Sequence, residues 1–297
     1  MASTERDYFL GTHDEELLRL GLQHRVWGAA VRDCWQRAGI AAGWRVLDIG
    51  AGPGYAAADL AGIVGPRGEV VAVERSGRFV EAGRAMVAKH GMPNVRFHEL
   101  DLMTDALPGG EFDAAWVRWV ACFLSSPALL VDKIAGALRT GGLAIFHEYL
   151  QYETFRCNPR REWQEEFAQQ VVKGWRGAGG EPDNAQPVLR LLVERGFAIR
   201  EAIPRIYAVH PSDEMWQWPA TFIKIHLEQQ TALGAVTPEW ADSVRREWAA
   251  AEADPTTLLT TPLVLQIIAE KPAPGDAARP GIPGDARPPS RPGRGGT

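Results

Sequence analysis

Three acids and a run of glycines carry the first chemical signal in the chain. Asp48 interrupts a short apolar run of Val46, Leu47 and Ile49, and Gly50, Gly52 and Gly54 follow at alternate positions. The run, set between Gly43 and Gly50, reads as a buried parallel strand. Glycine beyond it lets the chain turn sharply and lets a ligand approach the backbone with no Cβ in the way. Residues 55–64, Y-A-A-A-D-L-A-G-I-V, are alanine-rich and read as a helix. A strand, a glycine loop and a helix N-terminus together make a nucleotide-type site at the carboxyl end of a sheet. Glu74 ends a second apolar run, E-V-V-A-V-E, near the roughly 20-residue spacing at which an acid receives ribose hydroxyls. Asp101, within E-L-D-L, follows a third run at 94–98.

The ligand's charge follows from the neighbours. A dinucleotide fingerprint needs a third glycine or alanine where this chain has Tyr55. Asp48 sits badly beside a pyrophosphate and well beside a cation. The stretch V-L-D-I-G-A-G-P-G resembles the first motif of the class I S-adenosylmethionine-dependent methyltransferases. Their cofactor, S-adenosyl-L-methionine, carries a sulfonium and an ammonium and no phosphate. The resemblance implies a cofactor site of Asp48, Gly50, Gly52, Gly54, Glu74, Asp101, Leu102 and Arg118, with Asp101 against the adenine amino group. The N-terminal pattern Y-F-L-G…E-L-L-R-L-G-L-Q-H-R resembles the helices that close over the cofactor in many small-molecule methyltransferases, and so adds Tyr8 and Gln23 near its methionine end. Two rivals stand beside this reading. A nicotinamide oxidoreductase is opposed by Tyr55 and Asp48. A cofactor-binding partner subunit that no longer transfers methyl is opposed only in part, because the three acids speak for binding and not for chemistry.

The elements that must position these residues alternate. Further strands read at 112–117, 143–148, 197–203 and 261–270, with the last antiparallel as the resemblance implies. Helices read at 76–90, 126–138, 181–196, 215–233 and 239–253. Ser126-Pro127 is a helix start, a capping serine with proline in the first turn. Residues 1–43 read as two helices, the first capped at Thr12 with Glu15 three positions on and the second spanning 27–38. Residues 149–180 read as an inserted helix pair. Strands alternating with helices over short connections give an α/β fold, a doubly wound, mostly parallel sheet of Rossmann-like methyltransferase type with seven strands. The expected division is a methyltransferase domain over 1–271, with lid helices at 1–43 and a cofactor core at 44–148. Substrate-cap insertions at 149–184 and 204–258 form a lid above the sheet, and 272–297 is a disordered Pro/Gly-rich tail.

Methyl transfer from a sulfonium is an in-line displacement, so the nucleophile must be positioned and, where needed, deprotonated. The fourth strand ends in V-R-W-V, not in the Asn/Asp-Pro-Pro-aromatic motif of enzymes acting on base or glutamine amino groups. No acid cluster for magnesium accompanies it, and no metal is expected. The fifth strand ends in His147-Glu148. His147 titrates near working pH and could serve as general base, with Glu148 orienting it or acting itself. Alternatively, one of the pair faces solvent and the other packs beneath the insertions. His210, with Trp216 and Trp218 after it, is a second pocket candidate, while His13 and His24 read as helix-surface or lid residues.

Composition narrows the class further. The chain has 297 residues, 45% hydrophobic and 23% charged, with a net charge of −5 and a pI of 5.9. That balance argues against a nucleic-acid or anionic-membrane footprint. No apolar run of about 20 residues is present, and the first residues lack a signal peptide's blocks. Three scattered cysteines, Cys34, Cys122 and Cys157, fit unpaired thiols in a reducing compartment, so a cytoplasmic enzyme is expected. The expected reaction is methyl transfer to oxygen, nitrogen or carbon of a small molecule. Eleven tryptophans, several in the insertions, point to an aromatic or polyketide-like one.

Overall fold

A computed structural model of the chain describes residues 14–273, so the expectations for Tyr8, Thr12, His13 and most of the tail lie outside the described residues. The apolar runs become the strands β1 (Arg45–Ile49), β2 (Glu69–Glu74), β3 (Val95–Glu99), β4 (Phe112–Arg118) and β5 (Leu138–Gln151). The short strand β6 (Arg156–Asn158) comes next, then β7 (Ala198–Arg205), β8 (Ala208–Val209), β9 (Leu258–Thr260) and β10 (Leu263–Glu270). The helices are α1 (Asp14–Ala38), α2 (Tyr55–Val64), α3 (Gly77–Lys89), α4 (Pro127–Ala137), α5 (Glu162–Gly177), α6 (Ala185–Glu194), α7 (Gln217–Ala232) and α8 (Pro238–Ala253).

Seven strands form one sheet in the order β3-β2-β1-β4-β5-β10-β7. β1 pairs in parallel with β2 and β4, β2 with β3, and β4 with β5, whereas β10 runs antiparallel between β5 and β7. The chain winds outward from β1 in one direction and from β4 in the other. The gap between their carboxyl ends is therefore the switch point at which such sheets bind ligands.

Both faces of the sheet are covered, which is why its strands are apolar almost throughout. Val46 and Trp116 pack beneath α1 and α2, and the alternate residues Leu47 and Val117 pack on the face of α4 and α6. Ser76 and Ser126 start α3 and α4 by accepting the N–H groups of Phe79 and Leu129, each at 3.3 Å.

Three expectations change. Among the described residues, 14–38 form one continuous helix of 25 residues, α1, where a break near residue 27 was expected. Trp27, Val31, Cys34, Trp35 and Ala38 form one buried stripe along it. Residues 149–180 are not a helix pair. β5 runs on to Gln151, a tight turn follows at Tyr152–Thr154, and only α5 is helical. The three-residue spacing of Tyr149, Tyr152 and Phe155 imitates a helix, but Tyr149 is still paired in the sheet with Val264. A second, antiparallel sheet of order β6-β9-β8, unforeseen in the sequence, ties the two insertions together.

Candidate functional site

A cavity of about 340 Å³ opens at the carboxyl ends of β1, β2, β4 and β5. The loop after β1 shapes one side of it. Gly50 and Gly54 have φ of 66° and 88°, and a Cβ would collide with the Val120 side chain at the first and with the Phe97 ring at the second. Only glycine fits either position without backbone strain. Gly54 starts α2 one step behind the cavity, whereas Gly50 and Gly52 line it.

The acids converge on the same space. Asp48 is 2% exposed, and burial pushes its carboxyl up to about 7 against the pull of Arg118. Its Oδ2 is buried without a hydrogen-bond partner. Glu74 accepts the N–H groups of Gly52 at 2.9 Å, Arg75 at 2.8 Å and Ser76 at 2.9 Å, so its carboxylate is locked to the loop. Burial raises it while these bonds hold it down. Asp101 accepts the Met103 N–H at 2.9 Å and lines the cavity beside the buried Leu102. Arg118 is brought down to about 10 by burial and faces Asp48. Gln23, from α1, accepts from Arg19 Nη1 at 3.1 Å and Trp218 Nε1 at 3.0 Å. The cavity thus gathers Gln23, Asp48, Gly50, Gly52, Glu74, Asp101, Leu102 and Arg118.

The pair at the end of β5 falls elsewhere. His147 is fully buried, does not line the cavity, and is held well below its ordinary range by desolvation. The Gln266 amide explains its state. Its Oε1 accepts from Arg37 at 2.7 Å and Arg205 at 3.0 Å, so its Nε2 must be the donor to Ala30 O at 2.8 Å and to His147 Nδ1 at 3.2 Å. His147 is therefore a neutral ring protonated at Nε2, enclosed by the indoles of Trp27, Trp116 and Trp119. Glu148 points to the other face. Its Oε1 accepts the N–H groups of Val120 at 2.9 Å and Ala121 at 3.2 Å, capping the turn Ala121–Phe123, and burial pushes it up to about 7. Neither reaches the cavity, which corrects the expectation of a general base there. Trp216 is likewise walled off, stacked on Trp248 at 4.8 Å. His210 is exposed, and His24 lies 3.2 Å from Asp59 behind the cavity.

The opposite wall is aromatic. Trp119 is the one non-glycine residue with positive φ (51°) among the described residues. Its indole lies between Tyr149 at 5.4 Å and Trp218 at 5.6 Å, nearly parallel to both. Tyr152, Trp175 and Phe222 continue this wall, and Arg19 joins it from α1. No pattern in the sequence announces a left-handed tryptophan, whereas Glu16 and Arg19, missed in the sequence, carry the i, i+3 spacing of an ion pair on one helix face.

Comparison with known proteins places this geometry. Residues 46–142 match the family described as "Methyltransferase domain". The ubiquinone/menaquinone biosynthesis C-methyltransferase UbiE of Pseudomonas fluorescens is 28% identical over 130 residues, 43% of this chain and 50% of that protein. The protein-L-isoaspartate O-methyltransferase 1 of Rhodopseudomonas palustris is 44% identical over 72 residues, 24% of this chain and 28% of that protein. The chain therefore spans about half the length of the UbiE relatives it matches. Among solved structures, the YcgJ protein of Bacillus subtilis superposes with a TM-score of 0.54 at 17% identity, covering 84% of this chain and 100% of that one. The 4+2 cyclase SpnF does so with a TM-score of 0.55 at 20% identity, covering 83% and 82%. These two establish the fold alone. Sheet order, glycine loop and matched segment together make residues 46–142 a class I S-adenosylmethionine-dependent methyltransferase domain.

Proposed function

We propose that the protein transfers a methyl group from S-adenosylmethionine to a small, aromatic acceptor. One observation carries this reading: Asp48, whose buried Oδ2 has no hydrogen-bond partner, lines a cavity that is acidic and glycine-lined on one side and aromatic on the other. A cationic ligand supplies the partner that this carboxylate lacks, and a pyrophosphate does not. S-adenosylmethionine supplies an activated methyl group. In this reading Asp48 faces its positive charge, Glu74 takes the ribose hydroxyls, and Asp101 and Leu102 bound the adenine. Gln23 and Arg118 close the methionine end. The aromatic wall orients the acceptor by stacking and keeps water away from the displacement. In this reading proximity and desolvation carry the transfer. The likeness to UbiE, a C-methyltransferase, favours carbon as the receiving atom. The segments 150–184 and 204–258 act as the cap in this reading, with α1 as the lid. The division into a domain over 1–271 and a separate tail belongs to the same proposal.

Titration calorimetry tests the reading. S-adenosylhomocysteine should bind at micromolar levels and NAD should not. Binding of NAD with no response to S-adenosylhomocysteine sinks it.

A further inference from the structure

Resting on the methyl-transfer reading of the cavity, we propose that Arg19 anchors the acceptor, and that the acceptor is a planar aromatic molecule bearing an oxygen that receives the guanidinium's hydrogen bond. Arg19 is 5% exposed and lines the cavity, and Glu16, 1% exposed, lies behind it. The carboxylate grips the Nη2 and Nε edge at 2.6 and 2.7 Å. A buried ion pair rarely outdoes apolar side chains of the same volume in stability. Its place in a cavity wall therefore calls for a recognition role.

The surroundings say what it recognises. Gln23, one turn along α1, receives both Arg19 and the Trp218 indole, which fixes the guanidinium against the aromatic wall. Arg19 lies close enough to the Tyr152 phenol for its charge to act on it, which puts it beside the aromatic residues of the lining. A guanidinium only donates, so it repels an ammonium and takes an oxygen. The stacked rings of Tyr149, Trp119 and Trp218 offer a flat surface suited to a second π-system. A charged donor set beside these rings selects a phenol, an enol or a ring carbonyl.

The test uses two probes of one shape, 2-naphthol and 2-methylnaphthalene, by equilibrium dialysis without cofactor. The wild-type protein should prefer the naphthol by about tenfold or more, roughly one strong hydrogen bond to a charged donor. The double variant Glu16→Leu/Arg19→Met removes both charges of the pair together, and should bring the preference within about threefold while leaving 2-methylnaphthalene binding unchanged. Arg19→Lys keeps the charge and the ion pair and should retain part of the preference. A folded double variant that still prefers the naphthol overturns the proposal, as does a wild-type protein that binds both probes equally or neither. So does loss of S-adenosylhomocysteine affinity with the naphthol ratio intact, since Arg19 would then serve the cofactor. Failure of the wild type to bind S-adenosylhomocysteine counts against methyl transfer alone, because the naphthol ratio is read without it.

Discussion

Trp119 at the end of β4 and Trp218 in α7 lie face to face, with ring centroids 5.6 Å apart and planes 15° apart. One belongs to the cofactor-binding sheet and the other to an insertion, so this contact joins the two halves of the cavity. Trp218→Ala should weaken 2-naphthol binding by about tenfold and leave S-adenosylhomocysteine affinity within about twofold. Trp216→Ala is the contrasting case. It removes a fully buried ring away from the cavity, and should lower stability by about 3–5 kcal/mol in denaturant titration. Equal effects of the two variants on probe binding would show that the wall acts only through packing.

Asp48 gives a pH dependence with a defined sign. Its carboxyl is raised from 3.8 to about 7, so the folded protein holds a proton that the unfolded chain has released. The resulting stabilisation is complete below the unfolded value and fades as pH rises through the folded one. Asp48→Asn removes that decline and should gain stability relative to wild type on going from about pH 5 to about pH 8. In the proposed role Asp48 meets S-adenosylmethionine as the ionised carboxylate. Its affinity for wild type should rise over about pH 6–8 and stay flat in Asp48→Asn, with Asp48→Ala weaker by at least about tenfold.

Glu148→Gln keeps an acceptor for the N–H groups of Val120 and Ala121, whereas Glu148→Ala leaves them bare. The alanine variant should lose about 1–3 kcal/mol of stability and the glutamine variant less. Glu148→Gln should keep the wild-type pH profile of turnover. A loss of more than about a hundredfold in turnover with an unchanged melting temperature would restore Glu148 as a proton carrier.

Residues 274–297 contain proline, glycine and arginine with a single large aliphatic, Ile282, and offer almost nothing to bury. Truncation after Ala273 should leave the melting temperature within about two degrees. A fall of about five degrees or more would mean that the segment docks.

The sheet was legible because its interior strands are buried on both faces. Runs such as Glu69–Glu74 and Phe112–Arg118 needed no tertiary knowledge, and Ser126-Pro127 marked α4 directly. The small sheet escaped because strands of two or three residues have no period to detect. His147 and Glu148 misled for a related reason. Adjacent strand residues point to opposite faces, and only the placement of α1 and of the turn after β4 decides what each face meets. Here one met a cage of indoles and the other a row of N–H groups, and the aromatic wall of the cavity came instead from residues that tertiary packing assembles.

The position of β10 has a consequence for how the chain is made. Leu263–Glu270 lies between β5 and β7, so those two strands have no neighbour on that side until β10 arrives. On the ribosome, β3-β2-β1-β4-β5 can assemble while β7 waits for a segment synthesised after it. Through that interval the β5 edge, with Ile145 and Phe146 beside it, stands open to any passing strand. A stop codon just ahead of Leu263 would leave the cavity-lining residues in the product, and a ragged sheet edge ready to aggregate.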